Sequence, residues 1–414
     1  MYFRKKIDLL FTVFCFIIFS ILLTTGGSVK QFKKYPVILL PGDGGSQLKA
    51  TLNKSEAPHF YCREHTTSFF IWLDVGEFIP PFINCFVENI RLVYDIKTRT
   101  SSPPKGVKIT VPGFGNTSTV EWFDPSHESF TMYYVGLVDA LVAKGYTRNV
   151  SVRGAPFDFR LAPNEAGDFF KKLVALIEET YQMNGNTKVV LVSHSLGCVY
   201  TLFFLNHQDQ AWKDKFIQSW APIASPLGGA TKILRLYVSG DNFGVWAVDS
   251  IKARMAQRTY PSSAILAPVQ SLWDKDEVII STPTRNYTAY DYHQLYNDIK
   301  FPIGYELWKD TKPLISAMEP PGVPVFSVHG KDVPTEEHYT YDADFPDVQP
   351  TIKYGDGDGT VNMRSLKYLL KWKNEQKQPV SEFEISGGEH LEILQNATLH
   401  NYIINTVLQT DDKL

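Results

Sequence analysis

The stretch "TKVVLVSHSLGCVYTLFFLNHQ" (187–208) constrains this chain more than any other. Residues 187–193 are largely apolar and β-branched, the composition of a strand buried on both faces. Residues 198–208 read as a helix. Ser195 sits at the switch between them, with the small residues Ser193 and Gly197 on either side. A backbone that turns from strand to helix so sharply passes close to its neighbours, so its flanks must be small and its serine is presented outward. The usual pattern is G-x-S-x-G, and Ser193 departs from it. A serine in this setting is either a nucleophile or a polar residue closing a strand, and its partners decide between the two.

A serine hydroxyl attacks a carbonyl only when a base takes its proton and a carboxylate orients that base. On this kind of sheet the partners follow in the order Ser, acid, His. "YGDGDGTVN" (354–362) supplies Asp356 and Asp358 in a turn-rich loop, and "SGGEHLEIL" (386–394) supplies His390. Both lie downstream of Ser195. His194 is nearer in sequence, but neighbouring residues on a tight turn point in different directions, so it is a poor base for Ser195. A calcium loop starting at Asp356 needs Gly at its sixth position and Glu at its twelfth. Val361 and Lys367 stand there. No His/Cys zinc spacing occurs, so neither a metal nor a cofactor is expected. Acyl transfer also requires donors for an oxyanion. The N–H of Leu196 is one, and "LLPGDGGSQL" (39–48) offers the other at Asp43. An ionised carboxylate beside an oxyanion is unfavourable, so Asp43 points to an enzyme that works best in acid.

Around the turn, "YPVILLPG" (35–42), "SWAPIAS" (219–225) and "VPVFSVHG" (323–330) read as further buried strands, and 164–185 carries helical spacing. Strands alternating with helices predict a mostly parallel sheet covered on both faces. Two regions break the alternation, 62–115 and 226–322, and each is long enough to be an insertion on that sheet. The chain has 414 residues, 44% of them hydrophobic, enough for one elaborated domain. Its formal charge of −3 gives no reason to expect nucleic acid as a partner.

Arg4, Lys5 and Lys6 precede the apolar run Leu9 to Leu23, and "TTGGS" follows. That layout predicts a signal peptide over 1–27, leaving 28–414 as the mature chain. The run is short for a membrane span, which needs roughly 20 apolar residues. Asn53, Asn116, Asn149, Asn286 and Asn396 each open an N-glycosylation sequon. An oxidising compartment favours one disulfide, and Cys62 and Cys85 bracket one local segment, while Cys198 reads as a buried free thiol.

The motifs "PVILLPGDGGSQLKATLNK", "FFIWLDVGEFIPPFINCFVENIRLVYD", "VPGFGNT", "VRGAPFDFRLAPNE", "GDGDGTVN" and "GEHLEIL" resemble the lysosomal phospholipase A / lecithin–cholesterol acyltransferase family. The resemblance runs from about residue 36 to 408. It implies an α/β-hydrolase fold with a membrane-binding insertion over 62–115 and a cap or lid over 226–322. It makes Ser195 the nucleophile, Asp358 rather than Asp356 the acid, and His390 the base. It further implies a Cys62–Cys85 disulfide and an oxyanion hole at Asp43 and Leu196. Asp43 is similar to the lysosomal branch, whereas "SHSLGC" is nearer the sterol acyltransferase, and Ser327 stands where both relatives carry a second-disulfide Cys. On this reading Phe69, Phe70, Ile71, Trp72 and Leu73 meet a phospholipid membrane surface or a lipoprotein. The expected activity is cleavage of a glycerophospholipid acyl ester, with transfer to water or a lipid alcohol of the ceramide type. The alternatives are a secreted phosphatidylcholine–sterol acyltransferase and a catalytically inactive lipid-binding protein. The expected destination is the secretory pathway, ending in the lysosome or outside the cell.

Overall fold

A computed structural model describes residues 34–78, 80–242 and 248–409. The expected signal peptide, and residues 243–247 of the expected cap or lid region, lie outside the described residues. Within the unit Tyr35–Gln409, six parallel strands form the central sheet. They are β1 (Val37–Leu40), β2 (Val152–Gly154), β3 (Val189–His194), β4 (Ile217–Ile223), β5 (Val325–Lys331) and β6 (Val380–Ser386), in the spatial order β6-β5-β4-β3-β1-β2. β1 and β3 run in register with Leu39 beside Val192, and β3 meets β4 with His194 beside Ile223.

Strand geometry sends successive side chains to opposite faces. Ile38, Leu40, Val189 and Leu191 enter one core, and Val37, Leu39, Val190 and Val192 enter the other. That two-sided burial is why these strands read as unbroken apolar runs. The first core takes helix α1 (Gly167–Met183), through Leu173, Leu176 and Ile177, and helix α2 (Leu196–Asn206). This is the α/β-hydrolase fold.

The first insertion carries its own three-stranded antiparallel sheet, with Leu48–Asn53 between His65–Trp72 and Val107–Thr110. It therefore begins before residue 62. The Cys62–Cys85 disulfide ties that sheet to helix Ile83–Ile90. The second insertion builds a separate core around Tyr237, Trp273, Tyr292, Tyr296 and Trp308. It does not end at 322. Its four-stranded sheet pairs Ile280–Ser281 with Thr335–Thr340, which pairs in turn with Thr351–Gly355, so the chain leaves the central sheet again after β5. Among the described residues no helix is long and apolar enough to cross a membrane.

Candidate active site

Ser195 lies between β3 and α2 with φ 52°, in the left-handed region that a non-glycine residue enters only where the surroundings hold it there. The hold is visible. The Ser195 N–H donates to the carbonyl of Ile223 on β4 at 3.0 Å, and the Cys198 N–H donates back to the Ser195 carbonyl at 2.8 Å. Gly197 has no room for a side chain, since a Cβ there would sit 2.6 Å from the Leu40 carbonyl oxygen. Ser193, the departure from the usual glycine, is fully buried, and its Oγ accepts from the Trp220 indole Nε1 at 2.7 Å. Cys198 is a free, buried thiol, and burial pushes its pKa up to about 12.

Three side chains far apart in sequence meet here. His390 Nε2 lies 2.9 Å from Ser195 Oγ, and His390 Nδ1 lies 2.8 Å from Asp358 Oδ2. A carboxylate only accepts, so the Nδ1 proton faces Asp358 and the bare Nε2 faces the serine hydroxyl. Asp358 is fully buried. Its other oxygen accepts the N–H groups of Thr360 and Val361 at 3.0 and 2.7 Å, and its carbonyl accepts the His390 N–H at 2.7 Å. These bonds keep acid and imidazole in fixed relation. Asp356 is exposed and accepts from the Asp332 N–H instead.

The loop after β1 passes directly over the nucleophile, for a Cβ on Gly42 would lie 2.8 Å from the Ser195 Cβ. Asp43 follows, and the N–H of Leu196 opens α2, where backbone donors lack intrahelical partners. Trp72 Nε1 donates to the Gly44 carbonyl at 2.6 Å and holds that loop. Asp43 is exposed by its accessible surface, and it lines a cavity of about 90 Å³ walled by Trp72, Phe86, Phe159, Leu236 and Tyr260. Desolvation there raises its pKa from 3.8 to about 7, against a lowering hydrogen bond from the Gly44 backbone.

The expected lipid-contact residues divide. Ile71 and Trp72 are buried in the core, and Trp72 is committed to the Gly44 loop, so neither is available to a bilayer. Phe69, Phe70 and Leu73 are half-buried, with Lys49 Nζ 4.4 Å above the Phe70 ring. Phe60, fully exposed, and Phe82 stand in solvent on either side of the disulfide, and Val93, Ile96 and Phe130 are among the other exposed apolar side chains. Of the sequon asparagines, four are exposed, whereas Asn396 is half-buried and caps helix Ala397–Tyr402 by accepting from Thr398 N–H at 2.7 Å. Elsewhere His329, Glu382 and Glu384 bring ligand atoms within 4.8 Å of one another. Lys331 and Lys367 already pair with Glu384, so this cluster is charge-compensated.

A hydroxyl, an imidazole and a buried carboxylate relayed at the end of a parallel sheet define a serine enzyme of the acyl-transfer class. Comparison with known proteins narrows the class. The family model described as "Lecithin:cholesterol acyltransferase" matches residues 69–312 and 307–397. "Lysosomal phospholipase A and acyltransferase" of Rattus norvegicus is 44% identical over 375 residues, covering 90% of each chain. Its Homo sapiens counterpart is 42% identical over 394 residues, covering 95% of each. The Homo sapiens "Phosphatidylcholine-sterol acyltransferase" is 39% identical over 376 residues, covering 90% of this chain and 84% of the relative. The chain belongs to the lecithin:cholesterol acyltransferase family.

Proposed function

We propose that this protein cleaves a fatty acyl ester of glycerophospholipids. Ser195 attacks the ester carbonyl, His390 takes its proton, and Asp358 orients and stabilises the imidazolium. The N–H groups of Asp43 and Leu196 bind the oxyanion. His390 then returns the proton to the departing lysophospholipid, leaving the acyl group on Ser195 for water or a ceramide-type lipid alcohol. The Ser195–His390–Asp358 relay carries this reading. A lipid-binding protein has no use for all three groups in hydrogen-bond register.

Phe60 and Phe82 dock the first insertion on a phospholipid membrane, which brings substrate to the site without full exposure to water. The second insertion acts as the cap. The protein travels the secretory pathway with glycans on its exposed sequons. Its destination is the lysosome, a reading supported by the neutral form of Asp43 that acid favours. The sterol acyltransferase reading is kept as the alternative because "SHSLGC" resembles that branch.

The test uses liposomes of phosphatidylcholine with ceramide and sterol at roughly pH 4.5 and 7.4, on either side of the Asp43 transition. Fatty acid and acylceramide formed in acid, and lost in Ser195→Ala, are the expected products. Steryl ester at neutral pH moves the protein to the other branch. No Ser195-dependent product in either condition leaves only a lipid binder.

A further inference from the structure

His194 cannot serve Ser195 as a base, yet it is buried beside it and both its ring nitrogens are engaged. His194 Nε2 lies 2.8 Å from the His390 carbonyl oxygen, and His194 Nδ1 lies 2.7 Å from Tyr133 Oη. The Gly42 N–H donates to that same Tyr133 oxygen at 2.7 Å. A carbonyl only accepts, so the His194 proton is on Nε2. Nδ1 therefore accepts from the Tyr133 hydroxyl, which in turn accepts from Gly42. Every donor and acceptor in this buried chain has one partner, and the directions are forced.

We propose that His194, with Tyr133, is a positioning residue: a strut running from the Gly42 loop, through the turn beside the nucleophile, to the backbone of the base. One end fixes the loop that bears Asp43, and the other holds the His390 carbonyl and with it the ring aimed at Ser195. The strut also consumes the Gly42 N–H, which leaves the Asp43 and Leu196 amides as the donors turned to substrate. Burial, and the His390 charge after it, hold the His194 pKa well below its usual 6.5, so the ring stays neutral in acid. Burial likewise keeps the Tyr133 hydroxyl protonated by raising its pKa.

The inference rests on the nucleophile and base roles given above. The test measures phosphonylation of Ser195 by a fluorophosphonate, and kcat and KM on a soluble ester. Wild-type protein that is not labelled at Ser195 defeats the proposed function itself. With labelling established, His194→Asn keeps an acceptor near Nδ1 but loses the bond to His390. His194→Gln keeps a donor near Nε2 and loses the bond to Tyr133. Expected is a loss of about 10²-fold in kcat and labelling for His194→Asn with KM held, since misplacing a reacting group by about 1 Å costs that much. His194→Gln recovers about tenfold of that and keeps the roughly tenfold loss expected from the missing bond to Tyr133. Equal rates for Asn, Gln and wild type, equal impairment of the two, or a loss that follows melting temperature overturns the proposal. If His194→Asn does not fold, Tyr133→Phe decides. A kcat lowered about tenfold at unchanged KM supports the strut, and an unchanged kcat removes it.

Discussion

Replacing Asp43 by Asn removes one titration and keeps the volume of the side chain. In the folded protein the Asp43 carboxyl titrates near 7 because its cavity is walled by Trp72, Phe86 and Phe159. A single group with that midpoint is protonated in about 99% of molecules at pH 5 and in about one-tenth at pH 8. The protonated form leaves the neighbouring oxyanion alone, and the ionised form repels it. If only the neutral form turns over, kcat/KM falls about fivefold from pH 7 to pH 8 and close to tenfold per unit beyond, and the fall has a midpoint near 7. The assay is kcat/KM on a soluble ester between roughly pH 5 and 9, for wild type and Asp43→Asn, with the Ser195→Ala background subtracted. The variant should stay level through the range in which wild type declines. An alkaline limb with the same midpoint in Asp43→Asn defeats the reasoning, because some other group then controls it. Stability gives a second reading. The native state binds this proton more tightly than the unfolded chain does, so the contribution is complete below about pH 4 and is lost as pH rises through about 7. Asp43→Asn should abolish that slope in chemical denaturation.

Gly197→Ala forces a Cβ against the Leu40 carbonyl and should cost about 1–3 kcal/mol, read as a lower melting temperature. An unchanged melt contradicts the packing described. Replacing Cys62 and Cys85 by Ser opens a cross-link spanning 23 residues and should cost about 3 kcal/mol by urea denaturation, with no loss in a reductant control beyond that of the variant. Phe60→Ser with Phe82→Ser removes two apolar anchors worth about 1.5–3 kcal/mol each when fully buried. Co-sedimentation with vesicles should fall at least tenfold at unchanged hydrolysis of a soluble ester, and retained binding excludes these residues as the docking point.

The turn at Ser195 was legible because its constraints are local: a buried strand, a helix, and small flanks within the one stretch 187–208. Asp358 and His390 were legible by order and by loop composition. The choice between the two aspartates was not, since it depends on which one the Thr360 and Val361 amides reach, and that is a property of the folded loop. The lipid-contact segment misled for a physical reason. Phe69 to Leu73 are apolar at every position, so period-two alternation gives no clue to which side faces water. Packing against Phe78, Phe86 and Phe159 decided it and took Trp72 inward. The end of the second insertion was hidden by the two-residue strand Ile280–Ser281, too short to carry a pattern, which pairs with residues nearly 60 positions away. Tyr133 and His194 stand 61 residues apart, and nothing in either neighbourhood announces the other.

Ser193 occupies the place where the usual G-x-S-x-G turn has its first glycine, and its hydroxyl is where the buried Trp220 indole finds its acceptor. Replacing Ser193 by Gly alone would strand that N–H inside the sheet, at a cost of about 1–3 kcal/mol. Replacing Trp220 alone would leave the Ser193 hydroxyl with only the weak thiol of Cys198 and a void beside Trp372. Each residue has thus become a condition for keeping the other. The two positions are therefore coupled: each single change passes through a less stable state, and exchanging both at once should cost less than the sum of the two changes made alone.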